Sequence, residues 1–173
     1  MDAAIELWRE RWYDDITLQE IADRAAVSLS TVMRRFGSKE GVVDAILASD
    51  RLGTWGRRRR IATGDIGAAV RELVGDFELN GDGVIRNLAL EQQLPAIRHA
   101  VEIGRKLHRE WVVQVFADTL ARRKGRDYTC RLVQFVAATD VYSWKLFRRD
   151  HNLSKEETAH AMRDLLERLV REQ

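Results

Sequence analysis

Two adjacent arginines, Arg34 and Arg35, stand in the stretch AAVSLSTVMRRFGSKEGVV, residues 25–43. A guanidinium presents a rigid fork of N–H donors that meets guanine O6 and N7, or a phosphate, through two parallel hydrogen bonds. Between Ser28 and Gly41 there are three basic residues, Arg34, Arg35 and Lys39, against one acid, Glu40. Thr17, Ser28 and Lys39 stand at expected helix starts, where hydroxyls, free backbone N–H groups and an ammonium can meet phosphates. The chemistry on offer is anion recognition. The same residue types also suit an ordinary solvated helix face, so spacing has to separate the two.

The elements that hold these residues follow from periodicity and capping. Ala4, Ile5, Leu7 and Trp8 recur at helical spacing and predict an amphipathic helix over 3–11. YDDIT interrupts it, and Thr17 with Glu20 three residues later makes a capping box for a second helix, apolar at Leu18, Ile21, Ala22 and Ala25. Ser28 caps a third helix over 29–36, Gly37 ends it, and Ser38 caps a fourth through Val42, Val43, Ile46 and Leu47. Helices two and three, joined by a three-residue turn, form a helix-turn-helix arrangement, whose second helix lies in the DNA major groove. Ala22 supplies the small residue at the crossing, and Val27, Val32 and Phe36 are expected to anchor the second helix from behind. The 100° step then turns Leu29, Ser30, Met33 and Arg34 outward, with Thr31 and Arg35 at the edges. On pattern alone, a DNA reader and a short capped helix with two solvated arginines fit equally well.

The whole chain sets wider bounds. Its 173 residues, 45% hydrophobic and 32% charged, describe a globular mixture able to bury a core. A single proline, Pro95, amid many Ala, Leu, Arg and Glu predicts an all-α fold of about nine helices. No apolar run approaches the roughly 20 residues needed to cross a bilayer, and the charged start MDAAIELWRERW is not a signal peptide. One cysteine, Cys130, excludes an intrachain disulfide and fits a reducing compartment, so a cytoplasmic location is expected. A net charge of +2 does not mark a nucleic-acid binder, and the RRRR run at 57–60 is expected to be a solvated, self-repelling face.

A composition shift in GTWGRRRRIATGD places a boundary near Leu52, dividing a helix-turn-helix domain (1–51) from a larger helical domain (52–173). Beyond it, helices are expected over 66–79, 84–93, 96–123, 128–149 and 154–170, the last opened by a Ser154–Glu157 capping box. NGDG, residues 80–83, is expected to be a loop. In ELNGDGVI, Glu78, Asn80, Asp82, Gly83 and Ile85 match positions of a calcium loop, but position twelve is Ala89 instead of a bidentate Glu, so a turn is expected there. There is no nucleophile elbow, P-loop, dinucleotide fingerprint or His/Cys cluster with metal spacing. Neither an enzyme, a cofactor nor a metal is expected.

The run AAIELWRERWYDDITLQEIADRAAVSLSTVMRRFGSKEGVVDAIL resembles the N-terminal domain of TetR-family transcriptional regulators along nearly its whole length of about 45 residues. The shared order is a helix ending in a Tyr-containing turn, a Thr-started helix, a Val-Ser turn, a recognition helix closing on Phe36, and Ser38-Lys39-Glu40 opening the fourth helix. The resemblance implies a dimeric, repressor-type regulator on a palindromic operator, released by a small hydrophobic effector. With it goes a DNA-contacting set of Thr17, Ser28, Leu29, Ser30, Thr31, Met33, Arg34, Arg35 and Lys39. Three residues depart from the pattern: Trp12 and Ala26 stand where the family usually has glycine, and Met33 where it has tyrosine. A non-glycine residue at a left-handed turn costs about 1 kcal/mol. These departures sustain the alternative of a helical small-molecule-binding or protein-interaction module that no longer reads DNA.

The resemblance also places the effector inside the C-terminal bundle and pairs the last two helices across a two-fold axis. His108 and Asp140 are polar groups embedded in apolar helical faces and could orient a ligand, with Phe77, Trp111, Phe135 and Trp144 around them. The alternative is internal satisfaction of the polar groups and a core role for these aromatics and Tyr142. Met162, Leu165, Leu166, Leu169 and Val170 form one apolar stripe, expected at the dimer interface unless it packs within the monomer. Cys130 is expected as a small buried side chain.

Overall fold

The structure is a computed structural model, described over residues 1–49 and 53–171. The boundary expected near Leu52 lies outside the described residues. Among them the chain is helical, with no strand. In order the helices are α1 (Asp2–Glu10), α2 (Leu18–Arg24), α3 (Leu29–Phe36), α4 (Lys39–Ser49), α5 (Thr54–Arg58) and α6 (Ile66–Leu90). Then come α7 (Pro95–Val115), α8 (Ala117–Leu120), α9 (Gly125–Ala138), α10 (Val141–Lys145), a π-helical turn (Leu146–Asp150) and α11 (Lys155–Arg171). Among the described residues no helix is long and apolar enough to cross a membrane. The chain packs as two compact units, Met1–Trp55 with Asp82–Gly104, and Gly56–Gly81 with Arg105–Gln173.

In the first unit, Ala4, Leu7, Ile16, Ile21 and Val42 form a buried cluster, bordered by Trp8, Leu18, Phe36 and Ile46. A second cluster joins Tyr13 to Leu90, Ile97 and Val101. The last carbonyls of α1 would be orphaned, as at any helix C-terminus. Arg86 takes them, donating from Nη2 to the Trp8 and Arg9 carbonyls (2.9 and 2.7 Å) and from Nε to that of Arg11 (3.2 Å).

The NGDG loop expected at 80–83 is instead the interior of the 25-residue α6. Its glycines serve close approach, not a turn. A Cβ on Gly81 would stand 2.5 Å from the Trp144 ring, and one on Gly83 would stand 2.8 Å from the Trp8 ring. Asn80 bonds Asp76 one turn back (2.9 Å). Packing of the two indoles against bare backbone outweighs a propensity cost of about 1 kcal/mol per glycine. The same finding removes the expected turn in ELNGDGVI.

In the second unit two long expected helices are broken. The one expected over 96–123 stops at Val115, and α8 follows the non-helical Phe116 (φ −104°, ψ 22°). The one expected over 128–149 ends at Ala138, because Thr139 Oγ1 donates back to the Phe135 carbonyl (2.7 Å) and Asp140 caps a new start by accepting from the Tyr142 N–H (2.9 Å). Phe116 and Phe135 stack at 4.1 Å in the core of this unit. The α11 capping box forms as expected, with Ser154 N–H donating to Glu157 (2.7 Å) and Glu157 N–H to Ser154 Oγ (3.1 Å).

Candidate nucleic-acid interface and effector centre

The helix-turn-helix is built from local hydrogen bonds. Thr17 and Glu20 close the expected capping box of α2. Glu20 also takes an ion pair from Arg11, which together with the Thr17 donors holds its carboxyl down to about 2. At the other end of α2, Val27 N–H reaches the Ala22 carbonyl (3.0 Å) and Ala26 N–H that of Asp23 (3.1 Å). That is a Schellman stop, which puts Ala26 at φ +53°, where glycine is the usual occupant. The departure at Ala26 thus falls on a left-handed residue. Trp12 does not: the positive-φ non-glycine residues among those described are Ala26 and Asn152, so the tryptophan carries no such cost.

Ala22 is fully buried at the crossing, and Val32 and Phe36 face inward from α3 as expected. Val27 is not an anchor but 42% exposed. The N-cap Ser28, extended at φ −75° and ψ 151°, separates it from α3, so the helical step cannot be carried back to it. Leu29, Ser30, Met33, Arg34 and Arg35 are exposed, and Thr31 is half-buried at the edge. Ser28 accepts from the Thr31 N–H (3.2 Å), and its hydroxyl lies 2.8 Å from that of Ser30. Thr17 is likewise engaged in its cap.

Lys39, expected at a phosphate, is turned inward. Its ammonium donates to the carbonyls of Tyr13 and Ile16, both at 2.8 Å, and sits 4.2 Å from the Tyr13 ring centroid. The Ile16 carbonyl, where α1 hands over to α2, gains a donor from this long flexible ammonium, which shares the Tyr13 carbonyl with the Ile16 N–H (3.2 Å). Burial lowers its pKa from the ordinary lysine value.

The second unit holds a buried polar centre that the sequence reading only half found. Arg58, 2% exposed, donates to Asp76 Oδ2 at 3.0 Å and lies 3.3 Å from His108 Nδ1. Arginine can only donate, so Nδ1 accepts and the ring proton is on Nε2, which donates to Thr139 Oγ1 at 3.0 Å. Burial first, and the Arg58 charge second, push His108 down to about 3, so it is neutral near pH 7. The guanidinium also lies 5.5 and 5.4 Å from the ring centroids of Phe77 and Trp111. The RRRR run is therefore not wholly a solvated face: Arg58 is in the core, and Arg57 pairs with Glu72 and Asp76. A charged residue on an apolar stripe, Asp76 between Leu73 and Phe77, was the signal available for this centre.

Of the six expected pocket residues, Phe77, His108 and Trp111 gather around Arg58. Phe135 instead stacks on Phe116, and Trp144 packs on Phe77 (5.8 Å) and donates to Glu78 (3.1 Å). Asp140 is used as a helix cap, its pKa raised by burial. Tyr142, expected in the core, is exposed, and so is Cys130. The α11 stripe divides: Met162 and Leu166 are fully buried within the chain, Leu165 is exposed, and Leu169 and Val170 are half-buried. The stripe is broader than one contact, so its two sides meet different surroundings.

Comparison with known proteins agrees with this construction. Residues 1–46 match bacterial regulatory proteins of the tetR family. Over 48 residues the chain is 42% identical to the uncharacterized HTH-type transcriptional regulator YvkB of Bacillus subtilis (strain 168), a match covering 28% of this chain and 25% of that protein. The chain thus spans about a quarter of the length of that curated relative. The whole fold is similar to a crystal structure from Pseudomonas aeruginosa PAO1 assigned as a transcriptional regulator, with TM-score 0.65 and 14% identity over 98% of this chain and 87% of that one. It is also similar to a TetR/AcrR-family transcriptional regulator from Thermobifida fusca YX-ER1, with TM-score 0.61 and 20% identity over 99% and 94% of the two chains. Residues 1–46 thus carry a helix-turn-helix domain similar to that of the TetR family of bacterial transcriptional regulators.

Proposed function

We propose that the chain is a ligand-responsive regulator that reads duplex DNA as a dimer, one α3 to each half-site of a palindromic operator. The observation that carries this is the outward face of α3: Ser30, Met33, Arg34 and Arg35 are exposed, with no acid among them. Residues 1–49 as a whole hold six basic and nine acidic side chains, a net of −3. Two of those bases are already paired, Arg11 with Glu20 and Arg24 with Glu6 and Glu10. Arg34 and Arg35 of α3 are exposed cations on one helix face. Arg34 is assigned to a base edge and Arg35, at the edge of the face, to phosphate. Leu29 and Met33 are placed to meet thymine methyl groups. Lys39 is left out of the contact set, since its ammonium braces the fold.

Replacing both Arg34 and Arg35 by alanine weakens binding to the DNA flanking the protein's own gene, and lowers the salt slope by about 0.9 per lost phosphate contact. Unchanged affinity and salt dependence in that double variant would sink the assignment. The acid excess of residues 1–49 favours the second reading, a module that no longer reads DNA, and a gel shift with the same fragment separates the two.

For the dimer, the exposed Leu165 of α11 and the exposed Val133 of α9 support pairing through those helices. Leu165→Glu is expected to yield monomers in sedimentation. For the effector, the Trp111 indole N–H is buried with no hydrogen-bond partner among the described residues, beside the Arg58 centre. A hydrophobic compound carrying a carbonyl or ether oxygen fits that donor. Thermal-shift screening of such compounds should find stabilisers whose effect is lost in Trp111→Phe.

A further inference from the structure

We propose that the first unit holds a binding site for a small, neutral, apolar molecule of about benzene's size, beneath the helix-turn-helix. A cavity of about 100 Å³ lies among Ile5 and Trp8 of α1, Ile21 of α2, Val42 of α4, and Ile97 and Ala100 of α7. The cavity is half open to the surface; enclosed apolar cavities of about 150 Å³ accept benzene or xenon, so this volume suits a ligand at or below that size.

Two polar groups on the lining are committed to protein partners. The Lys39 ammonium is held by the Tyr13 and Ile16 carbonyls, and the Trp8 N–H donates to Asn87 Oδ1 at 3.1 Å. With its ammonium and indole N–H satisfied, the cavity disfavours an ion and favours a neutral apolar occupant. The site is separate from the Arg58 centre, which belongs to the other unit.

Ile21 and Val42 belong to the cluster that braces the helix-turn-helix, so an occupant presses on the elements that hold α3. Resting on the DNA-binding reading above, ligand and operator are then linked, and each changes the other's affinity by the same factor.

The test uses the full chain with carbon-13-labelled methyl groups, titrated with benzene. Saturable shifts are expected on Val42, Val43, Ile46 and Ile97, with Leu132 and Leu166 of the second unit unmoved. Ala100→Leu fills the space and should weaken benzene binding at least tenfold. Xenon pressure on the unaltered chain reads the same methyls if that variant does not fold. Non-saturating shifts, shifts spread over both units, or wild-type benzene affinity in folded Ala100→Leu would overturn the site. In the DNA arm, saturating benzene should change operator affinity at least twofold; an unchanged affinity overturns the linkage. A chain that binds no DNA at all refutes the DNA reading instead, and leaves the methyl titration to decide the site.

Discussion

Two adjacent arginine pairs in this chain meet opposite fates. Arg34 and Arg35 project from α3 into solvent, whereas Arg58, beside Arg57, is 2% exposed and bound to Asp76. The denser basic run is thus the one that goes inside. A buried guanidinium needs a carboxylate and further acceptors to offset its desolvation, and α6 supplies Asp76 where α5 ends. An exposed guanidinium has no such need and stays available to a partner. Charge density therefore says little about which arginines stay open to an anionic partner. The acids within reach decide.

The contrast is broken most directly at Asp76. Asp76→Ala leaves Arg58 charged without its carboxylate and should cost about 3–5 kcal/mol in urea denaturation, while Arg34→Ala and Arg35→Ala stay within about 0.5 kcal/mol. A loss under about 1 kcal/mol at Asp76 would mean that water, and not packing, surrounds the pair.

A second contrast lies within α6. Gly81→Ala gains about 1 kcal/mol of helix propensity, but its methyl meets the fully buried Trp144 ring; overpacking of about 1–3 kcal/mol should prevail and lower Tm. At Gly75 a Cβ would meet nothing within 4 Å, so Gly75→Ala should be stabilising. The same sign at both positions would remove the packing argument for the glycines.

His108 sharpens the buried side through pH. Its folded pKa, about 3, lies below the ordinary 6.5, so between those values the unfolded chain binds a proton that the folded one does not. Stability should fall as pH drops through that window, by up to about 1.4 kcal/mol per pH unit. The difference between wild type and His108→Gln isolates this slope, and parallel curves would show that the ring is open to water.

On the exposed side, Ala26→Gly should raise stability by about 1 kcal/mol, by relieving the left-handed turn, without altering the α3 face. Equal melting temperatures would mean that the Schellman turn is unstrained in this chain.

Much of the helix-turn-helix was legible because its determinants are local. Thr17 with Glu20, Ser28, Gly37, and Ser154 with Glu157 mark helix ends through bonds spanning three or four residues, and the boundaries follow them closely. The outward set on α3 needed only the helical step. Where that step crossed a turn it failed, at Val27. Lys39 was misjudged because its acceptors, Tyr13 and Ile16, lie more than twenty residues earlier.

By itself the sequence determined an all-helical chain, a helix-turn-helix of TetR type, and which face of α3 looks outward. These follow from capping, periodicity and side-chain size within one or two turns. Only the tertiary structure decided that NGDG is helix, that Arg58 is core, that Met162 and Leu166 are withdrawn from the surface, and that a cavity lies under α4. Each of these depends on a partner distant in the chain: Trp144 and Trp8 for the glycines, Asp76 and His108 for the arginine. A local pattern has no access to a side chain sixty residues away. Desolvation and close packing do, and at those positions they outweighed propensity and charge.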